Sequence, residues 1–192
     1  HPGLFNVRGT CLAQEGRLAE ARLQFQETLR RSVDDLYALR ELFSHCVTVA
    51  DRRAALDFVQ GELIRQTTFG QAFQGFAELA RPYVSVEDML DLLRQAHAAR
   101  PDLWESWVAL AGHLVVARNH DEALQVATAA TQRFPLVPRV WLELGRVHRA
   151  RREPEAAIAA LEKVRDINPA WGFGMRELAA TLEAAGRLRE AR

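Results

Sequence analysis

The sequence predicts an all-α protein of stacked antiparallel helix pairs. Three observations carry that expectation: a 34-residue internal period, apolar spacing of helical type within each period, and turn-forming residues at fixed places between the apolar stretches. Slid against itself by 34 residues, the chain aligns without an insertion. One column reads Phe5, Leu39, Phe73, Trp107, Trp141 and Met175, large and apolar throughout. Three residues later stand Leu42, Phe76, Leu110, Leu144 and Leu178, with Arg8 alone out of line. The next column is small, with Gly9, Ala77, Ala111, Gly145 and Ala179, and Phe43 is its exception. A fourth holds Ala21, Ala55, Met89, Ala123, Ala157 and Ala191, and Pro101, Pro135 and Pro169 close three of the units.

Each column has a physical reason. In the first element of a unit, Trp107, Leu110, Ala111 and Leu114 fall at steps of three, four and seven, which is one face of a helix. The small residue beside each leucine lets a second helix approach closely. That second helix is visible in Ala123, Leu124, Ala127 and Ala130, again at helical spacing. A short polar break separates the two, as Glu15-Gly16, Arg118-Asn119 or Ala185-Gly186, and glycine there can take the positive φ that ends a helix. The closing proline cannot continue the second helix and presets the turn into the next unit. The predicted units are 2–35, 36–69, 70–103, 104–137 and 138–171, with a partial sixth at 172–192, all in a single array. Unit 36–69 is the weakest, because Phe43, Glu62 and Thr67 replace the expected small residue, alanine and proline.

Composition narrows the function classes. Lys+Arg and Asp+Glu both total 25, so a generally basic nucleic-acid binder is excluded, and no apolar run reaches the ~18 residues of a membrane span. Two cysteines are no disulfide framework, and free thiols lean toward a reducing, cytoplasmic location. Cys46 is expected as a buried core thiol, and Cys11 lies a helix pair away, beyond bridging distance. Lys163 is the only lysine among the 25 basic residues, a bias that points to the base composition of a high-GC bacterium. The chain begins His-Pro and stops where a new helix should start, so flanking parts of a longer parent are expected.

No catalytic constellation emerges. Ser44, His45 and Cys46 are consecutive, so on a helix they point about 100° apart and cannot converge on one reacting atom. No two of the six histidines stand four apart as a helical zinc pair would. Gly172-Phe173-Gly174 lacks the preceding strand and third glycine of a nucleotide loop. No cofactor, metal or enzymatic activity is expected.

On these columns the chain resembles the tetratricopeptide repeat family, most closely over 104–137 and 138–171. The resemblance implies a right-handed α-solenoid whose first helices line a concave groove. It also implies a non-enzymatic scaffold that binds an extended or helical segment of another protein. Two alternatives stay open: a regulatory or substrate-presenting arm of a larger enzyme, and a self-association module acting through an uncapped C-terminal repeat. The face that the family pattern turns to the groove starts with Asn6 and Thr10, then Tyr37, Arg40 and Ser44. Gln71, Gln74, Glu78 and Arg81 follow in the third unit, and Glu105, Val108, Gly112 and Val115 in the fourth. Arg139, Leu142, Arg146 and Arg149 form a stripe in the fifth, and Phe173 and Arg176 end the face. Arginine forks pair well with carboxylates, so the expected partner segment is acidic with an apolar anchor set against Val108 and Val115.

Overall fold

The computed structural model describes residues 2–66, 71–80 and 84–191, apart from the side chains of residues 2, 71, 73, 74, 77 and 80. Among the described residues there are eleven α-helices and no strand. They are α1 (Pro2–Gln14), α2 (Leu18–Arg31), α3 (Leu36–Ser44), α4 (Val49–Arg65), α5 (Gln71–Ala80) and α6 (Val86–Ala99), followed by α7 (Trp104–Val116), α8 (His120–Arg133), α9 (Pro138–Ala150), α10 (Pro154–Ile167) and α11 (Gly172–Ala184). The first helices of the hairpins thus start near every thirty-fourth residue, as the period requires. The fold is all-α, of the solenoid class in which hairpin packs on hairpin.

The chain divides into two compact units, His1–Ser106 and Trp107–Arg192. In the first, Phe25, Leu29, Leu39, Leu42, Val59 and Phe76 are at most 1% exposed. The second is built around Leu142, Ile158, Leu161, Val164, Leu178 and Leu182, with Trp141, Trp171 and Met175 packed against them. The alanine column lies at the heart of both, since Ala21, Ala55, Met89, Ala123 and Ala157 are all buried. The small column works as its chemistry suggests. A Cβ added at Gly145 would stand 2.9 Å from Leu161, and one at Gly9 would stand 2.8 Å from the Phe25 ring, so in each hairpin the second helix occupies the space a side chain would need.

The turns repeat as well. Gly16, Arg118, Arg152 and Gly186 share one register position, and all four have positive φ. The amide of each bonds back three residues and the following amide bonds back five, as in Gly16 N to Ala13 O (3.0 Å) with Arg17 N to Leu12 O (2.9 Å). This double closure satisfies carbonyls that the end of a first helix leaves open. The second helices α6 and α8 start on side-chain caps, Ser85 accepting from the Asp88 amide and Asn119 from the Glu122 amide, whereas α2 and α10 start without one.

The hairpin α3–α4 departs from this plan. Its first helix has nine residues where α1 and α9 have thirteen, and its second has seventeen where α2 and α10 have fourteen. The turn has moved toward the N-terminus by about one helical turn. Thr48 caps α4 early, accepting from the Asp51 amide while the Asp51 carboxylate accepts from the Thr48 amide. Ala50 occupies the register position of the positive-φ residues and lies within α4. Arg22 on α2 ties the displaced turn down, donating to the His45 carbonyl (2.9 Å) and to Asp51 (2.6 Å).

Cys46 is buried as expected, its thiol donating to the Leu42 carbonyl, and burial pushes its pKa up. Glu62 is buried too, accepting from Arg65 and from Gln66 Nε2 (2.6 Å). Thr67 lies outside the described residues.

Candidate functional site

Each of the two units carries its own stretch of the first-helix face. In His1–Ser106, part of the expected face is consumed by links between hairpins. Asn6 donates to Asp35 (3.0 Å) and accepts from Thr28 (2.9 Å), while Thr10 and the Tyr37 hydroxyl bond each other at 2.8 Å. Tyr37 stays 39% exposed, packs edge-on against Phe25, and has the Arg40 guanidinium 5.9 Å from its ring centre. Arg40 and Ser44 are exposed, the Ser44 hydroxyl turned back onto the Glu41 carbonyl, and Glu78 is exposed. The side chains of Gln71 and Gln74 and the whole of Arg81 lie outside the described residues.

In Trp107–Arg192 the face carries its strongest chemistry. Arg146 and Arg149, one turn apart on α9, share the carboxylate of Glu177 on α11: Arg149 Nη1 donates to Oε2 at 2.7 Å, and Arg146 Nη2 lies 3.8 Å from Oε1. Arg146 Nη1 also lies 3.6 Å from Glu143 Oε2. Phe173 presents its ring to two guanidiniums, with Arg146 at 5.6 Å and Arg176 at 5.8 Å from its centre. A solvent-open cavity of about 460 Å³ is lined by Arg146, Arg149, Ala150 and Glu177. The four arginines Arg139, Arg146, Arg149 and Arg176 outnumber the two carboxylates among them.

Those carboxylates sit in different surroundings. Glu143 is buried, 6% exposed, and fills the space above Gly112, where an added Cβ would stand 2.9 Å from Oε1. Burial pushes its pKa above the ordinary carboxylate value, against the pull of Arg146 and Arg139. Glu177 has 22% of its side chain exposed and borders the cavity.

Three expected groove residues require correction. Glu105 is 5% exposed, Val108 6% and Leu142 0%, so none of them forms a groove surface. Val108 and Leu142 belong to the register column that holds Asn6, Arg40 and Arg176 elsewhere. Where that column is polar it reaches solvent, and where it is apolar the side chain drops into the core, as Leu142 does against α10 and α11. Gly112 and Val115 are half-buried, as is Arg139.

Glu143 and Glu177 were absent from the expected site. The signal lay in the period itself, since the two stand 34 residues apart and therefore share a face with the arginines between them. A second feature falls outside the face altogether. A cavity of about 600 Å³ lies between α4 and α6, with Arg52 and Arg53 on one wall and Asp88 and Asp91 on the other. Gln60 and Gln95 bond across its end at 3.2 Å. Among the described residues no cluster of three metal-ligating side chains occurs, and no helix is long and apolar enough to cross a membrane.

The architecture defines a class of protein: tandem helical hairpins whose first helices present a side-chain face. The family model described as Tetratricopeptide repeat matches residues 108–170. The match falls on the two most regular hairpin units, and over that stretch the chain carries tetratricopeptide repeats. No curated protein matches it. Among solved structures, TTC0263, described as a thermophilic tetratricopeptide repeat protein of Thermus thermophilus, has 16% identity over 95% of this chain and 100% of its own, with a TM-score of 0.56. YrrB, described as a tetratricopeptide repeat protein with an unusual peptide-binding site, has 18% identity over 89% and 88%, with a TM-score of 0.53. A MamA structure has 14% identity over 88% and 92%, with a TM-score of 0.52. At these identities the likeness is one of fold.

Proposed function

We propose that this chain is a non-enzymatic interaction scaffold that binds an extended or helical acidic segment of another protein on its first-helix face. The supporting observation is the open cavity where Arg146 and Arg149 converge beside Phe173. Two guanidiniums aimed at one point suit a carboxylate, and an aromatic ring at their side suits the apolar part of the same segment. The packed helices α9, α10 and α11 hold these groups in place before a partner arrives, which lowers the entropy lost on binding. An exposed arginine face also implies binding that weakens with salt.

The test is affinity capture with the wild-type chain and with a variant carrying Arg139→Glu, Arg146→Glu and Arg149→Glu, each at low and high salt. Circular dichroism checks first that both are folded. A partner held by the wild type at low salt, and lost by the variant, is the expected result. Recovery of the same proteins by both chains would overturn the reading.

A further inference from the structure

We infer that Glu177 is a built-in competitor for the partner's carboxylate, occupying the arginine pair until an acidic segment displaces it. The inference rests on the reading of α9 and α11 as the binding face. A single carboxylate bridges two guanidiniums on a different helix, with Oε2 on Arg149 at 2.7 Å and Oε1 toward Arg146 at 3.8 Å. That is the arrangement an incoming glutamate or aspartate side chain would itself need. Glu177 therefore stands where a ligand group would stand.

The two acids of the cluster differ in their freedom to leave. Glu143 is packed over Gly112 and has 8% of its side chain exposed, so moving it would open a void there. Glu177 lines the open cavity, and its side chain can swing into water without disturbing the core. Its bonds to Arg146 and Arg149 are part-exposed ion pairs, which contribute little and exchange readily. The competitor keeps the arginines aligned and charge-compensated when no partner is bound. It also lowers the affinity of every acidic segment by a modest factor.

The probe is a fluorescein-labelled peptide alternating leucine pairs with glutamate pairs, with a glutamine version as neutral control. Glu177→Gln is expected to bind the acidic peptide about three- to fivefold tighter than wild type, with unchanged affinity for the control. If wild type binds and Glu177→Gln binds equally or more weakly, or tightens on both peptides alike, the competitor role is overturned while the binding face stands. If neither chain binds the acidic peptide, the binding face itself falls. A second measurement needs no variant: the carboxyl carbon signal of Glu177 in the wild type should move toward that of a free glutamate on saturation with the acidic peptide. A signal that stays in place while the peptide binds would overturn displacement.

Discussion

The hairpins α9–α10 and α3–α4 are built from the same 34-residue period, yet only the first follows it to the end. In α9–α10 a glycine at the crossing point admits Leu161, and Arg152 takes the positive φ that ends the first helix in register. In α3–α4 Phe43 stands at the crossing point, the turn comes early, and the two backbones approach each other at only a few places. The phenylalanine is still buried, at 4% exposed, because it turns forward onto Phe76 of the next hairpin, ring centres 6.5 Å apart. The difference teaches that the hairpin is only one way to cover an apolar face. When a bulky residue holds its own second helix away, stacking on the next unit takes over.

The largest expected effect tests that substitution of roles. Phe43→Ala should lower unfolding stability by about 3–5 kcal/mol in urea titration, as for other buried phenylalanines. A stabilising result would mean that Phe43 merely obstructs a regular hairpin.

The next effect is pH-dependent and belongs to the unit containing α3–α4. Glu105 is buried, and burial, reinforced by Asp34, pushes its pKa from 4.5 to about 7. Between these values the folded chain holds a proton that the unfolded chain has lost. Stability therefore falls as pH rises from 4.5 toward 7 and levels off above. Glu105→Gln should remove this slope and raise stability at pH 8 by about 3 kcal/mol, read from unfolding at pH 5 and pH 8. An unchanged slope would place the ionisation elsewhere.

Gly145→Ala sharpens the contrast from the other side. Its new methyl would stand 2.9 Å from Leu161 and 3.4 Å from the Ala157 carbonyl, so a loss of about 1–3 kcal/mol is expected. Equal stability would show that α9 and α10 can separate as freely as α3 and α4.

The smallest effect compares the turns. Arg152→Gly relieves a left-handed residue and should stabilise by about 1 kcal/mol, whereas Ala50→Gly, inside α4, should destabilise by about as much. Shifts of the same sign in both would mean that the turns do not differ in backbone demand.

Much of the fold was legible because its determinants are periodic. The buried alanine column, the small residue at the crossing and the glycine turns are each a residue type at a fixed step. The early turn of α3–α4 was not legible in that way. It follows from a local competition, in which the Thr48–Asp51 capping box starts α4 before the period calls for it. At the site the arginines were visible, but three-four spacing does not separate Leu142, in mid-helix under α10 and α11, from Arg149 in the open last turn. The Glu177 bridge required reading one hairpin against the next, 28 residues from Arg149.

The most direct test of the interaction face is an NMR titration of the wild-type chain with the leucine–glutamate peptide, following the arginine side-chain Nε signals. The account predicts saturable shifts at Arg146 and Arg149 on α9, with Arg52 and Arg53 on α4 unmoved. Shifts confined to the cavity between α4 and α6, or none at Arg146 and Arg149, would contradict it.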